Sequence, residues 1–312
     1  MTHPSPSLPN SALKALKSFR RFLWQYRLSV SLVLGAIALL SVLVTPILSA
    51  PAVTPTVQVQ PSNPQLGDTL SVVIQGNSSA NPTIDFNQKT YTAFPIGANR
   101  YRALLPTTPQ FSAGRKPIQV MIDGTVKDLV VQLRDRTFPT QSIWLGNGGG
   151  PEGTDHEFDR VDAFKALITP DKLWNGAFRR PATGEVTSIY GVRRYYNGEF
   201  AEDYYHRGVD YAGEVGSAVV APAGGKVVLV GRVADGFEIH GNTVGVDHGQ
   251  GVISIFIHLS RIDVKEGDRV QAGQTLGGIG STGAATGPHL HWGLYVNGLS
   301  VDPVPWRETG FE

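Results

Sequence analysis

Apolar positions fall into three patterns along the chain. The first is a nearly all-apolar run, Leu28 to Leu48, with no charged residue from Leu28 until Asp68. A run of about 20 such residues is long enough to cross a bilayer as a helix. Lys14, Lys17, Arg20, Arg21 and Arg27 precede it, so the positive-inside rule keeps the N-terminus in the cytoplasm and exports the remainder of the chain. Residues 1–27 therefore read as a cytoplasmic basic tail and 28–50 as a transmembrane anchor or signal segment. Ala50-Pro51-Ala52 has the small-x-small form of a signal peptidase site. The run is longer than the ~7–15 residues of a signal core, which favours a retained anchor; cleavage would make the protein secreted.

The second pattern is alternation in short stretches. Thr69–Ile74, Tyr101–Leu105, Pro117–Ile122 and Leu129–Leu133 alternate apolar and polar residues, with Gly76-Asn77, Gly97-Ala98-Asn99 and Asp123-Gly124 between them. Period-two runs separated by turn residues predict a small β-sandwich-like module, placed at 51–140 behind an extended Pro-rich lead-in from Pro51 to Pro64. It holds no ligand cluster and reads as a spacer or binding module. A glycine-rich joint follows at 146–154. Phe158, Val161, Phe164, Leu167 and Ile168 then recur at helical spacing and Pro170 closes them, which predicts a short helix within a 141–178 linker.

The third pattern fills 179–312. Glu185–Tyr190, Gly225–Val230, Asn242–Val246, Val252–His258 and His289–Val296 read as strands with glycine at nearly every junction. The fold class is all-β: a C-terminal β-sheet domain, a smaller β-sandwich-like domain before it and an N-terminal transmembrane helix.

Composition narrows the chemistry. The 312 residues suit two domains and a tail, and a net charge of +1 gives no reason to expect nucleic acid binding. Cysteine is absent, so there is no disulfide and no thiolate site, and any metal must sit on His, Asp or Glu.

Three segments carry such residues. His289-Leu290-His291, within a strand, sends both imidazoles to one face. His206-Arg207-Gly208-Val209-Asp210 places a His and an Asp on one face if the chain curves at Gly208, and His258 ends an apolar strand. Together they offer four imidazoles and one carboxylate. A catalytic zinc site takes three protein ligands and keeps a position open. Two His and one Asp meet that need, and two imidazoles remain as base, acid or oxyanion donor. That surplus suits a hydrolase better than a closed structural site. Among the other histidines, His240 and His248 flank a strand beside turns and read as loop hydrogen-bonders. His156 reads as a surface residue and His3 lies in the tail. Asp247 is a rival carboxylate, without a histidine on its strand face.

These motifs have a further setting. Trp174–Phe178, Thr187–Arg193, His206–Tyr211, Ala221–Val227, His258-Leu259-Ser260, Val264–Asp268, Gly280–Gly283 and Gly287–His291 occur in this order. From about 175 to 306 the chain resembles the lysostaphin-like zinc metallopeptidases, the M23 class of peptidoglycan endopeptidases, also called LytM-type. The resemblance implies one zinc ion per chain on His206, Asp210 and His291, with His258 and His289 as the catalytic pair. It implies attack of a zinc-activated water on peptide bonds of peptidoglycan, with glycine-rich loops near 212–217 and 280–287 walling a narrow groove. With the anchor, it implies a bacterial plasma (inner) membrane protein whose catalytic domain lies in the periplasm or other extracytoplasmic space. One departure is visible: the position two before the strand histidine, commonly Tyr, is Phe256.

Two other readings compete. Some relatives keep the fold, lose ligands and activate other wall hydrolases; the complete ligand set here favours catalysis. The hairpin Val264–Gln274 also resembles carrier and pump-adaptor domains, but no modifiable lysine at a hairpin tip and no long helical hairpin is evident. The glycine-rich Gly148–His156 segment, just before the catalytic domain, is a candidate groove-blocking element for a latent enzyme.

Overall fold

The computed structural model describes residues 54–144 and 152–311. The expected tail at 1–27, the anchor at 28–50 and most of the glycine-rich joint lie outside the described residues. Among the described residues, no helix is long and apolar enough to cross a membrane.

Alternation in the first module becomes two facing four-stranded sheets. One has the order Thr56–Gln60, Thr69–Gln75, Arg100–Pro106, Phe94–Gly97; the other runs Lys89–Thr92, Thr83–Phe86, Gly114–Ile122, Thr125–Leu133. Leu70, Val72 and Ile74 from the first meet Ile84, Ile118 and Val120 from the second, all fully buried in one core. The Thr83–Phe86, Lys89–Thr92 and Phe94–Gly97 strands have four residues each, too few for alternation to announce them. Asp123-Gly124 and Asn297-Gly298 each hold two successive positive φ angles, the type I′ geometry that matches the twist of the strands they join.

The C-terminal part is built on an eight-stranded sheet. Its path runs Val186–Ser188, Val209–Ala212, His289–Val296, Val252–Leu259, Asn242–Gly249, Gly225–Gly231, Arg269–Val270, with Leu299–Val301 also pairing on His289–Val296. The central strands read as nearly continuous apolar runs because both faces are covered. Phe256, Leu290, Trp292 and Leu294 face one core. Ile253, Ile255 and Tyr295 face a second, closed by Val161 and Phe164 of the helix Asp155–Lys165.

That helix departs from its sequence expectation. It begins at Asp155, capped by the Thr154 hydroxyl, which accepts from Glu157 N at 3.1 Å, and it ends at Lys165. Its buried positions are Glu157, Val161 and Phe164, at i, i+4 and i+7. Phe158 and Ile168, expected on the apolar face, are exposed. The inward stripe is rotated so that a carboxylate lies in it. The expected linker also holds more structure than a tether: Thr140–Ile143 pairs in parallel with Arg193–Tyr196. Asp302 caps a short C-terminal helix, Pro303–Glu308, that buries Trp306.

The described residues form one compact unit, and strand Arg100–Pro106 shows how. Leu105 points into the sandwich core, while its neighbour Leu104 joins the core of the C-terminal sheet. Trp306 Nε1 donates to Thr69 Oγ1 at 3.0 Å, Arg102 Nη2 to Gln250 Oε1 at 3.1 Å and Asn297 Nδ2 to the buried Leu104 carbonyl at 2.7 Å. Asn297 also accepts from Lys89 Nζ at 2.8 Å and sits at φ 48°. Asn297→Ala leaves a buried carbonyl unpaired, about 1–3 kcal/mol, and puts alanine in the left-handed region, about 1 kcal/mol more. A loss of roughly 2–4 kcal/mol in urea unfolding of the protein is the expected result.

This docking occupies one end of the central strands. Val252 pairs with Val296 beside Gln250 and Asn297, whereas Ile257 pairs with His291. Those two rungs are about 17 Å apart at the usual rise per residue. The sandwich therefore seats away from the histidine end.

Candidate metal centre and catalytic pair

Strand His289–Val296 performs the alternation expected of it. Leu290 is fully buried, and His289 and His291 share the opposite face. His291 registers against Asp210 on one neighbour and Ile257 on the other. His206 lies just before the Asp210 strand, tied through its backbone to Gly191 and Val192. Gly208 between them must lack a side chain: a Cβ there would lie 2.3 Å from Trp292 O and 2.8 Å from His291 Nε2.

Three ligand atoms converge. His206 Nε2 is 3.0 Å from Asp210 Oδ1 and 3.0 Å from His291 Nδ1, and the latter two are 2.8 Å apart. His206 Nδ1 lies 2.8 Å from the Ile189 carbonyl. A carbonyl only accepts, so Nδ1 carries the proton and Nε2 presents a bare lone pair. The cluster thus holds two acceptor atoms and one imidazole nitrogen, with one proton at most among them. Such a donor set fits a divalent cation. Tetrahedral zinc with bonds of ~2.0–2.1 Å separates its ligand atoms by roughly 3.3 Å, a few tenths more than here. Burial alone would raise the Asp210 carboxyl, but the imidazoles of His206 and His291 set against it hold it well below the carboxylate range. Burial pushes His291 down to about 4, so its ring is neutral, as a ligand must be.

His258 and His289 stand beside this cluster with ring centroids 4.9 Å apart. Simple alternation would put His258 on the Leu290 side, since Ile257 pairs with His291. A β-bulge corrects this. Between Val244↔Phe256 and Asn242↔Leu259 the strand carries one residue more than its partner, and His258 sits there at φ 65°. That left-handed conformation is commonly glycine's. His258 N donates to His240 O at 2.9 Å, and its Nδ1–H donates to Thr282 O at 2.8 Å. His289 Nδ1–H likewise donates to Gly287 O at 2.8 Å. Burial, then the neighbouring His291 and His289, press His258 down to about 3. In its neutral form each ring of the pair therefore carries its lone pair on Nε2.

The remaining candidates fall elsewhere. His248 is fully buried, donating from Nδ1 to Gly224 O at 2.8 Å while Nε2 meets Ser254 Oγ at 2.9 Å. His240 hydrogen-bonds Glu157, His156 is exposed and His3 lies outside the described residues. Asp247 accepts from Thr169 Oγ1 and Gly249 N, both at 2.8 Å. Phe256 is buried in the core, so a hydroxyl there would be buried with it. Two residues around the site escaped sequence reasoning: Thr282, whose contact with His258 is made by its carbonyl and so has no side-chain signature, and Glu157, whose signal was a carboxylate in register with Val161 and Phe164.

Comparison with known proteins gives the setting. Residues 204–303 match the profile of Peptidase family M23. The DD-carboxypeptidase/endopeptidase Mpg of Neisseria meningitidis serogroup B is 41% identical over 99 residues, 32% of this chain and 22% of that protein. Peptidoglycan DD-endopeptidase ShyC of Vibrio cholerae is 41% identical over 98 residues, 31% and 22% of the two chains. Glycyl-glycine endopeptidase ALE-1 of Staphylococcus capitis is 42% identical over 109 residues, 33% and 29%. The chain thus spans 22–29% of the length of these curated relatives. A crystal structure described as a putative peptidase M23 from Pseudomonas aeruginosa matches with a TM-score of 0.60 at 28% identity, covering 80% of this chain and 96% of the other. That likeness extends through both β modules.

Proposed function

Since the chain carries a peptidase family M23 domain at residues 204–303, we propose that it is a zinc-dependent endopeptidase that hydrolyses peptide bonds in peptidoglycan. The observation that carries this reading is the convergence of five side chains, three as a ligand set and two as neighbouring imidazoles. His206, Asp210 and His291 would hold the ion. When bound, zinc supplies a Lewis acid that lowers the pKa of water and polarises a carbonyl.

The protein's own part is proton handling. His258 and His289 each spend their Nδ1–H on a carbonyl, so each neutral ring accepts at Nε2. One takes the proton of the attacking water and, as an imidazolium, hydrogen-bonds the developing oxyanion or passes the proton to the leaving amine. Two adjacent rings do not readily both become cations, so the pair carries one proton at a time. The names of the relatives span D,D bonds and glycyl-glycine bonds, and the substrate class proposed is the peptide moiety they share. The apolar run at 28–50 supports export, with the protein held at the outer face of the cytoplasmic membrane.

The test is to load the full chain with zinc, incubate it with purified peptidoglycan of several wall types, and measure new amino groups with and without chelator. Chelator-sensitive release is expected, and mass analysis of the products names the bond. One zinc per chain without release from any wall type would overturn catalysis in favour of a silent activator of other hydrolases.

A further inference from the structure

We propose that Glu157, on the helix that precedes the matched 204–303 stretch, is a positioning residue for His258. This rests on the reading of His258 as a proton-transfer group. A carboxylate with no solvent exposure is costly unless its lone pairs are met, and Glu157 is fully buried. Its oxygens accept from Glu238 N at 3.0 Å, Ile239 N at 3.1 Å, His240 N at 2.7 Å and His240 Nδ1 at 2.6 Å. Three successive backbone N–H groups aimed at one anion form a nest whose shape depends on that anion. Burial opposes ionisation, but the His240 and Ile239 donors prevail and the carboxyl is held below its ordinary value.

The nest leads directly to His258. The same His240 that gives its N–H to Glu157 gives its carbonyl to His258 N at 2.9 Å. Ile239 O accepts from Ala284 N at 2.8 Å, and Asn242 N donates to Thr282 Oγ1 at 3.0 Å. Thr282 Oγ1 in turn donates to Leu259 O at 2.9 Å, and Thr282 O receives the His258 Nδ1–H. Gly241 and Gly283 press together so closely that a Cβ on either would lie 2.5 Å from the opposing segment. Both hydrogen bonds that fix His258, at its backbone and at its ring, therefore end on segments clasped around residues 238–242. A residue at φ 65° keeps such a conformation only where its surroundings over-determine it. With the carboxylate gone, four donors lose their acceptor, the clasp loosens, and His258 loses the bond that fixes its tautomer.

Glu157→Gln keeps the shape of the side chain and removes the charge. The expected result is a roughly 10–100-fold fall in kcat on soluble cross-linked muropeptides, KM within about threefold, and zinc still at one per chain. Nitrogen NMR of the His258 ring should pass from a single Nδ1–H tautomer to a mixture. His258→Ala is measured alongside. If it is inactive while Glu157→Gln retains wild-type kcat and tautomer, the positioning role is overturned and the catalytic reading stands. If His258→Ala keeps wild-type activity, the catalytic reading itself fails. Zinc loss in Glu157→Gln proportional to lost activity would also overturn positioning, because the effect would then be on the fold. Should that variant not fold, Thr282→Val severs the clasp without touching Glu157; the same fall in kcat is expected, and a wild-type rate overturns the proposal.

Discussion

Asp210→Asn is expected to empty the metal site and abolish hydrolysis while the sheet stays folded. Asp210 supplies the only negative charge in the cluster with His206 and His291. It lies in the four-residue strand Val209–Ala212 between two neighbours, so its backbone is fixed by pairing that asparagine does not disturb. The amide is nearly isosteric, but it offers a neutral oxygen or an N–H to two imidazole nitrogens about 3 Å away. Zinc measured by mass spectrometry should fall from one per chain to near zero, and release of amino groups from peptidoglycan should fall at least ~10³-fold. A variant that keeps both zinc and activity would refute the ligand set. The carboxylate also stabilises the metal-free chain. Its folded pKa lies below the ordinary value near 3.8, so its contribution is present above about pH 4 and is lost as pH falls further. Asp210→Asn should accordingly flatten the acid limb of stability measured with chelator present.

Part of this site was legible in the chain because it follows regular geometry. His289-Leu290-His291 needs only the two-residue period of a strand, and Asp210 across from it needs only register. Other parts obey no local rule. His258 lies on the useful face because of one extra residue and a left-handed turn, and strand alternation alone predicts the opposite face. Glu157 was hidden for a different reason. A helix is read by its apolar stripe, and a carboxylate is assigned to solvent, yet Glu157 points inward because the acceptor-starved 238–240 backbone lies there. The pairing of Thr140–Ile143 with Arg193–Tyr196 joins segments about 50 residues apart, and nothing in either stretch names the other.

The bulge makes a test of His258 in which stability and activity separate. His258→Gly and His258→Ala both remove the imidazole, so both should lose about 10²–10⁴-fold in kcat. Both also lose the ring's bond to Thr282 O, near 1 kcal/mol. They differ in the backbone. Inside an ordinary strand, glycine is less stable than alanine by roughly 0.5–1 kcal/mol. At φ 65° the order reverses, because alanine carries a left-handed cost of about 1–2 kcal/mol that glycine escapes. The expected outcome is a glycine variant more stable than the alanine variant by about 1 kcal/mol in urea unfolding, with the two equally inactive and equally loaded with zinc. Alanine proving the more stable would mean that His258 continues the strand regularly, pointing to the Leu290 side, and the catalytic pair would have to be redrawn. The predicted order comes from placing a histidine where the backbone favours glycine. That left-handed residue in the bulge is what brings the ring back to His289.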